Sequence, residues 1–204
     1  MNTAILDQLH EFVEQGKISE RDKAFATDLV TKGRKYGLSE GQARWVGILV
    51  ERVTNPPAVR VVGDFSGVYA LFQKARQHLK FPKVILQTKA GHVLKVYISG
   101  PRSAQPDTLN VTDGAKYTEN NIWFGRVGKD GTWVPSFKAP KERLKDAEDI
   151  LKRLGANPEK VAAEYGKLTG NCCFCSRTLD DARSTAVGYG PVCAKNFGLK
   201  WGNK

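Results

Sequence analysis

The stretch IWFGRVGKDGTWV, residues 122–134, decides the fold class. Ile122–Val127 and Thr132–Val134 are rich in aromatic and β-branched side chains, which suit a pleated, half-buried surface. Between them Lys129-Asp130-Gly131 is turn chemistry, because Asp-Gly accepts the positive φ of a tight primed hairpin turn. The segment therefore reads as an antiparallel hairpin. Alternation along the first strand sets Trp123 and Phe124 on opposite faces, so at most one of them is core in a one-sided sheet. Trp123 and Trp133 can alternatively be core residues pairing across the turn.

Working outward, Val84–Thr88, His92–Ser99 and Leu109–Thr112 carry the same strand composition, and Val59–Val62 fits a further short strand. The expectation is a mainly antiparallel sheet of four or five strands whose order the sequence does not set. Asp64 or Ser66 can cap a helix that runs to about Leu79 and ends before Pro82. After Pro140 the period becomes helical, with Leu144, Ala147, Ile150, Leu151 and Leu154 on one face. Asn157 can then cap a short helix that has Pro158 at its first position and Val161, Ala162 and Tyr165 facing inward.

Three helices precede the sheet. Residues 3–15 are amphipathic, with Ile5, Leu9, Phe12 and Val13 on one side. Ser19 caps a second helix, where Phe25, Ala26, Leu29 and Val30 share a face before Gly37. Ser39 and Gln42 form a capping-box pair opening a third, with Val46, Leu49, Val50 and Val53 at helical spacing. The short Gly37-Leu38-Ser39 link invites a helix-turn-helix reading. The nearly balanced charge of these two helices favours packing over DNA reading, since a recognition helix is basic and polar on its outer face. Asn55-Pro56-Pro57 breaks the helical pattern and marks a boundary. The fold class expected is α+β: an N-terminal helical bundle (1–54), a basic region with a small central antiparallel sheet (55–139), a helical linker region (140–169) and a C-terminal zinc-stapled module (170–204).

All four cysteines fall between positions 172 and 193, a clustering that chain-wide disulfide stapling would not produce. Cys172-x-x-Cys175 lets two thiolates converge on one ion, and Gly188-x-Gly190-Pro191-x-Cys193 returns a third. The glycines suit a turn that aims Cys193 at the metal and frees backbone N–H groups to bond the thiolates. The position that would complete a second C-x-x-C pair is Asn196. The fourth ligand stays open. Cys173 should point away from a site gripped by its neighbours, and Asp180, Asp181, Ser184, His10, His78 and His92 are the alternatives. One structural Zn2+ per chain competes with a redox dithiol, which normally opens a helix in a βαβ setting, and with buried metal-free cysteines.

The run from Gly170 to Trp201, with Cys172, Cys175, Arg177, Leu179, Asp181, Ser184, Gly188, Gly190, Pro191 and Cys193 in the pattern C-x-x-C-x-R-x-L-x-D-x-x-S…G-x-G-P-x-C, resembles a zinc-finger family of unknown function common in bacteriophage and mobile-element proteins. The upstream stretch from Asp64 through Trp123-Phe124-Gly125-Arg126 to Tyr165-Gly166-Lys167 also looks like proteins of that kind. The resemblance implies a zinc site and a phage-like origin, and names no reaction.

The formal net charge of +11 is unevenly distributed. Residues 1–54 hold eight Lys/Arg and eight Asp/Glu, whereas residues 55–140 hold twelve and five and residues 141–204 twelve and eight. The whole excess lies beyond Pro57, where it would draw an anionic partner. Basic residues there alternate with aromatics: Lys95 near Tyr97, Lys116 beside Tyr117, Phe124 before Arg126, Lys129 before Trp133. Cations that track phosphates beside rings that stack on bases are the means of holding single-stranded nucleic acid. Lys95, Lys116, Phe124, Arg126 and Lys129 are the contacts expected, with single-stranded DNA or RNA as partner. A solubility charge is the bland alternative.

No Walker-type glycine loop and no H-E-x-x-H is present, and the three histidines are dispersed, so a non-catalytic role is favoured. Asp7, His10, Glu11 and Glu14 interrupt the apolar positions of the N-terminus and no stretch of about 18 apolar residues exists, so neither a signal-peptide core nor a membrane span is expected. A cytoplasmic setting follows, the host's if phage-encoded. The reading is a phage-encoded accessory protein of DNA metabolism that binds nucleic acid; the alternative is a module that engages or inhibits a host enzyme.

Overall fold

A computed structural model describes residues 3–56, 58–116 and 121–202. The chain divides into two compact units, Met1–Pro57 and Ala58–Lys204, with the break at the proline pair. The first unit holds helices α1 (Thr3–Glu14), α2 (Glu20–Tyr36) and α3 (Glu40–Thr54). Both serine caps form: Ser19 Oγ accepts from the Asp22 N–H, and Ser39 with Gln42 makes a full capping box. Leu6, Leu9, Phe12, Leu29, Val46 and Leu49 fill the core between the helices. Phe25 departs from the expected inward face. It is 42% exposed and meets Trp45 edge to face at 5.7 Å, because α2 buries a stripe narrower than its apolar sequence pattern.

The second unit contains β1 (Arg60–Val61), α4 (Ser66–Arg76), β2 (Lys83–Gln87), β3 (Val93–Ile98), β4 (Leu109–Thr112), β5 (Trp123–Val127), β6 (Thr132–Pro135), α5 (Lys141–Ala156), α6 (Pro158–Thr169), α7 (Ala182–Val187) and α8 (Pro191–Phe197). The sheet has six strands in the order β1-β6-β5-β4-β3-β2, every neighbouring pair antiparallel. Five of them form a meander in chain order, and β1 closes the far edge by pairing with β6. Gly128 N donates to Thr132 O, Gly131 N donates to Gly128 O, and only Gly131 of the loop takes a positive φ. This is a three-residue hairpin loop in place of the expected tight primed turn.

Val84, Leu86, Leu94, Val96, Leu109, Val111, Phe124, Val127 and Trp133 line the inner face of the sheet. They share one core with Phe72 of α4, Leu151 of α5, Ala162 of α6, Cys172, Cys173 and Phe174, and Phe197 of α8. Segments 55–139, 140–169 and 170–204 therefore meet in a single hydrophobic interior from Ala58 onward. Tyr69, at 3% exposure, completes its polar need there by donating from its hydroxyl to Val127 O at 3.0 Å.

A β-bulge in β5 decides which side chains face outward. Val111 pairs with Gly125 and Thr112 with Trp123, leaving Phe124 as the extra residue. Strict alternation would set Phe124 and Arg126 on one face; the bulge turns Phe124 inward while Arg126 stays out. Gly125 sits at φ 142, and a Cβ there would lie 2.4 Å from Val134 O and 2.8 Å from the Trp133 ring. The bulge therefore requires glycine. Trp133 is core, but its partner across β5 is Val127, so it does not pair with Trp123.

Candidate metal centre

Helix α6 ends at Gly170 in the left-handed conformation, and the chain folds back at once into a short knuckle. Cys172 N donates to Arg177 O at 2.7 Å, Ser176 N to Cys172 O at 2.8 Å and Leu179 N to Gly170 O at 2.8 Å. This tight hairpin brings the Cys172 and Cys175 side chains to one side. Cys173, between them, is fully buried on the core side. Its carbonyl accepts from Ile85 N at 2.7 Å, so the knuckle covers part of the free edge of β2. Burial pushes the Cys173 thiol well above its ordinary range. Cys173 is a core residue, as its position between two converging cysteines led one to expect.

Asp181 starts α7 by accepting from Arg183 N and Ser184 N, which also lowers its carboxyl pKa. Ser184, buried, accepts from Trp201 Nε1 at 3.1 Å, and Arg183 lies 4.0 Å over the Trp201 ring. A Cβ at Gly166 would fall 1.9 Å from Gly188 O, and one at Gly188 2.1 Å from Ala163 O. The backbone ending α7 thus runs directly against α6. Gly190 caps α8, Pro191 occupies its first turn, and Cys193 is delivered beside the knuckle.

The three sulfurs of Cys172, Cys175 and Cys193 lie within 4.8 Å of one another. A tetrahedral thiolate site with bonds of ~2.3 Å holds its sulfurs ~3.8 Å apart, so the trio is close to metal-holding geometry and can take one ion. A hydrogen bond shared with Cys193 lowers the Cys172 thiol below its ordinary range, helped by backbone N–H groups of Cys175, Gly190 and Phe174; the same bond raises Cys193. Amides that favour thiolate are what a metal site needs. Ser184 and Asp181 line the same cleft but are engaged as described, whereas His92 bonds Asp146 of α5 at 3.1 Å. His78 follows α4, and His10 belongs to the first unit. Among the described residues no histidine or carboxylate joins the three cysteines.

Of the other expected contacts, Lys95 and Arg126 fall on the outward face of the sheet. Arg126 pairs with Asn110, Asn110 with Tyr97 and Tyr97 with Lys83, making one outward row across four strands. The adjacent row is Ile85, Lys95, Thr112 and Trp123. Lys95 Nζ lies 5.7 Å from the Tyr97 ring centroid, and Trp123 Nε1 donates to Asn110 Oδ1 at 3.0 Å. Lys116 is exposed beyond β4 and Lys129 is exposed at the hairpin tip, away from these rows. Tyr117 lies outside the described residues. Phe124 requires correction: it is fully buried, with the Arg143 guanidinium 5.0 Å from its ring centroid, and offers no face to a base. Trp123, 37% exposed, is the ring on the outer side. Lys83 was missed from sequence, because only the strand register reveals that it continues the Arg126 row.

The class of structure defined here is a three-cysteine knuckle, able to hold a metal ion, set against the edge of an antiparallel sheet. Over residues 162–198 the chain is similar to a family of unknown function, DUF6011, and the matched stretch runs from α6 to the end of α8. No curated protein and no solved structure matches the chain. No helix among the described residues is long and apolar enough to cross a membrane.

Proposed function

We propose that the protein is a non-catalytic nucleic-acid-binding accessory protein, phage-encoded and acting in DNA metabolism in the host cytoplasm, in which one structural Zn2+ held by Cys172, Cys175 and Cys193 pins the knuckle to the sheet. The observation that carries this reading is the outward face of the sheet, where Lys83, Lys95 and Arg126 flank Tyr97 and Trp123. Cations spaced across strands track phosphates, and the two rings stack on bases, an arrangement that favours single-stranded DNA or RNA. The charge distribution supports it, since all of the +11 excess belongs to the Ala58–Lys204 unit. The phage context rests on the resemblance of the Gly170–Trp201 stretch.

The test is fluorescence anisotropy with labelled single-stranded and duplex oligonucleotides over a salt series. Lys95→Ala with Arg126→Ala should lower the log–log salt slope by about 1.4, roughly 0.7 for each phosphate contact on a single strand. Trp123→Leu should weaken binding with little change of slope, because stacking releases few ions. Absence of binding at low salt by the unaltered chain refutes the reading. A protein partner is then the second reading, favoured by the exposed Phe25–Trp45 pair on α2 and α3.

A further inference from the structure

We infer that Asn196 supplies the fourth ligand of the metal centre through its Oδ1, making a three-thiolate, one-amide site. This rests on the metal reading above and adds the group that closes the shell. A structural zinc is four-coordinate, so three cysteines leave one position to fill. The sulfurs open into a cleft of 480 Å³, and the remaining polar side chains on its wall are Arg177, Thr178, Asp180, Asp181, Ser184 and Asn196.

All but one of these are excluded by charge, engagement or position. Arg177 is a cation. Thr178 Oγ1 donates to Asn171 Oδ1, Ser184 Oγ accepts from the Trp201 indole, and Asp181 Oδ1 caps α7. Asp180 is exposed, and among the described residues no carboxylate oxygen lies with the three sulfurs. Asn196 stands three residues after Cys193 on α8, the helical spacing that sets side chains on one face with Cβ atoms about 5–6 Å apart. That separation lets a sulfur and an amide oxygen converge on one ion. Asn196 is half-buried as a residue, and its side-chain amide makes no hydrogen bond among the described residues. Cys193-x-x-Asn196 on the helix thus repeats the spacing of Cys172-x-x-Cys175 on the knuckle. A neutral oxygen holds the total charge of a Zn2+ site with three thiolates at −1, beside the Arg177 guanidinium on the cleft wall.

The experiment titrates the full-length reduced chain with Co2+, reading the thiolate-to-cobalt charge-transfer band and the d–d bands, followed by displacement with Zn2+. Asn196→Leu should weaken Co2+ binding at least about tenfold and change the d–d envelope. Asn196→Cys should raise the charge-transfer intensity by about one third, from three thiolates to four, and tighten binding. Asp180→Asn should leave spectrum and affinity unchanged. An unchanged spectrum and affinity in Asn196→Leu, or a loss in Asp180→Asn, overturns Asn196 while leaving the metal centre standing. Failure of the unaltered chain to take up Co2+ or Zn2+ overturns the metal reading itself, and the assignment of Asn196 with it. Should Asn196→Leu fold poorly, the gain in Asn196→Cys still decides: no added charge-transfer intensity means that position 196 does not reach the ion.

Discussion

Phe174→Ala should destabilise the sheet as well as the knuckle. Phe174 follows Cys173 and is nearly buried. Its ring stacks on Phe197 of α8 at 3.8 Å between centroids and 20° between planes, and tilts against Tyr189 at 5.7 Å. Phe197 in turn meets Phe72 of α4 edge to face at 6.2 Å. A continuous aromatic path therefore links the three-cysteine knuckle to the helix that packs under the sheet. Truncating a buried phenylalanine costs about 3–5 kcal/mol through lost transfer energy and the residual cavity. Against a typical domain stability of about 5–15 kcal/mol that is a large share, and for a unit of this size it lowers Tm by roughly 10 °C. Calorimetry gives the size of the loss, and hydrogen exchange read peptide by peptide gives its location. Peptides from β2 to β6 and from the 170–201 segment should lose protection together, while those of α1 to α3 keep theirs, because the first unit has its own core. Loss of protection confined to residues 170–201, with the strands and the main transition unchanged, would refute the shared core and restore a separately folding module.

Two further outcomes follow from the sheet. Burial raises Tyr69 from 10.0 to about 12, so its contribution is fully present below pH 10 and is lost as pH rises through about 12. Tyr69→Phe should cost about 1 kcal/mol at neutral pH for the lost bond to Val127 O and should make stability fall less between about pH 10 and 12. Urea midpoints at about pH 8 and about pH 11 check this, and an unchanged alkaline slope counts against it. Gly125→Ala should cost at least about 2 kcal/mol, since the new methyl meets backbone at a positive φ. Gly190→Ala, where a Cβ meets nothing within 4 Å, should cost about 1 kcal/mol or less. Equal urea midpoints for the two variants would remove the bulge argument.

Local chemistry was legible where the information is local. Ser19, Ser39 with Gln42, and Asn157 opened their helices because a cap involves only residues two or three apart. The strand segments were visible in their composition, and the cluster that could hold a metal in the spacing of Cys172, Cys175 and Cys193. Where the signal was distributed, local reading failed. Phe124 looked like a base-stacking ring until the bulge at Gly125 turned it inward, an event that depends on the register against β4. Phe25 matched an apolar helical face that the small three-helix core does not reach.

The sequence by itself determined the α+β class, the break at Asn55-Pro56-Pro57, the confinement of the net positive charge to the second unit, and which three cysteines cluster together. Each of these follows from short-range stereochemistry or from counting. Only the tertiary structure decided that β1 returns to pair with β6, that Lys83 and Arg126 belong to one row, and that Cys173 O covers the edge of β2 at Ile85. These facts join residues tens of positions apart, and packing selects among pairings that local preferences leave equivalent. Asn196 shows the same limit: its place in sequence left the second C-x-x-C pair incomplete, and only the packing of α8 beside the knuckle set this residue on the wall of the cleft that the three cysteines line.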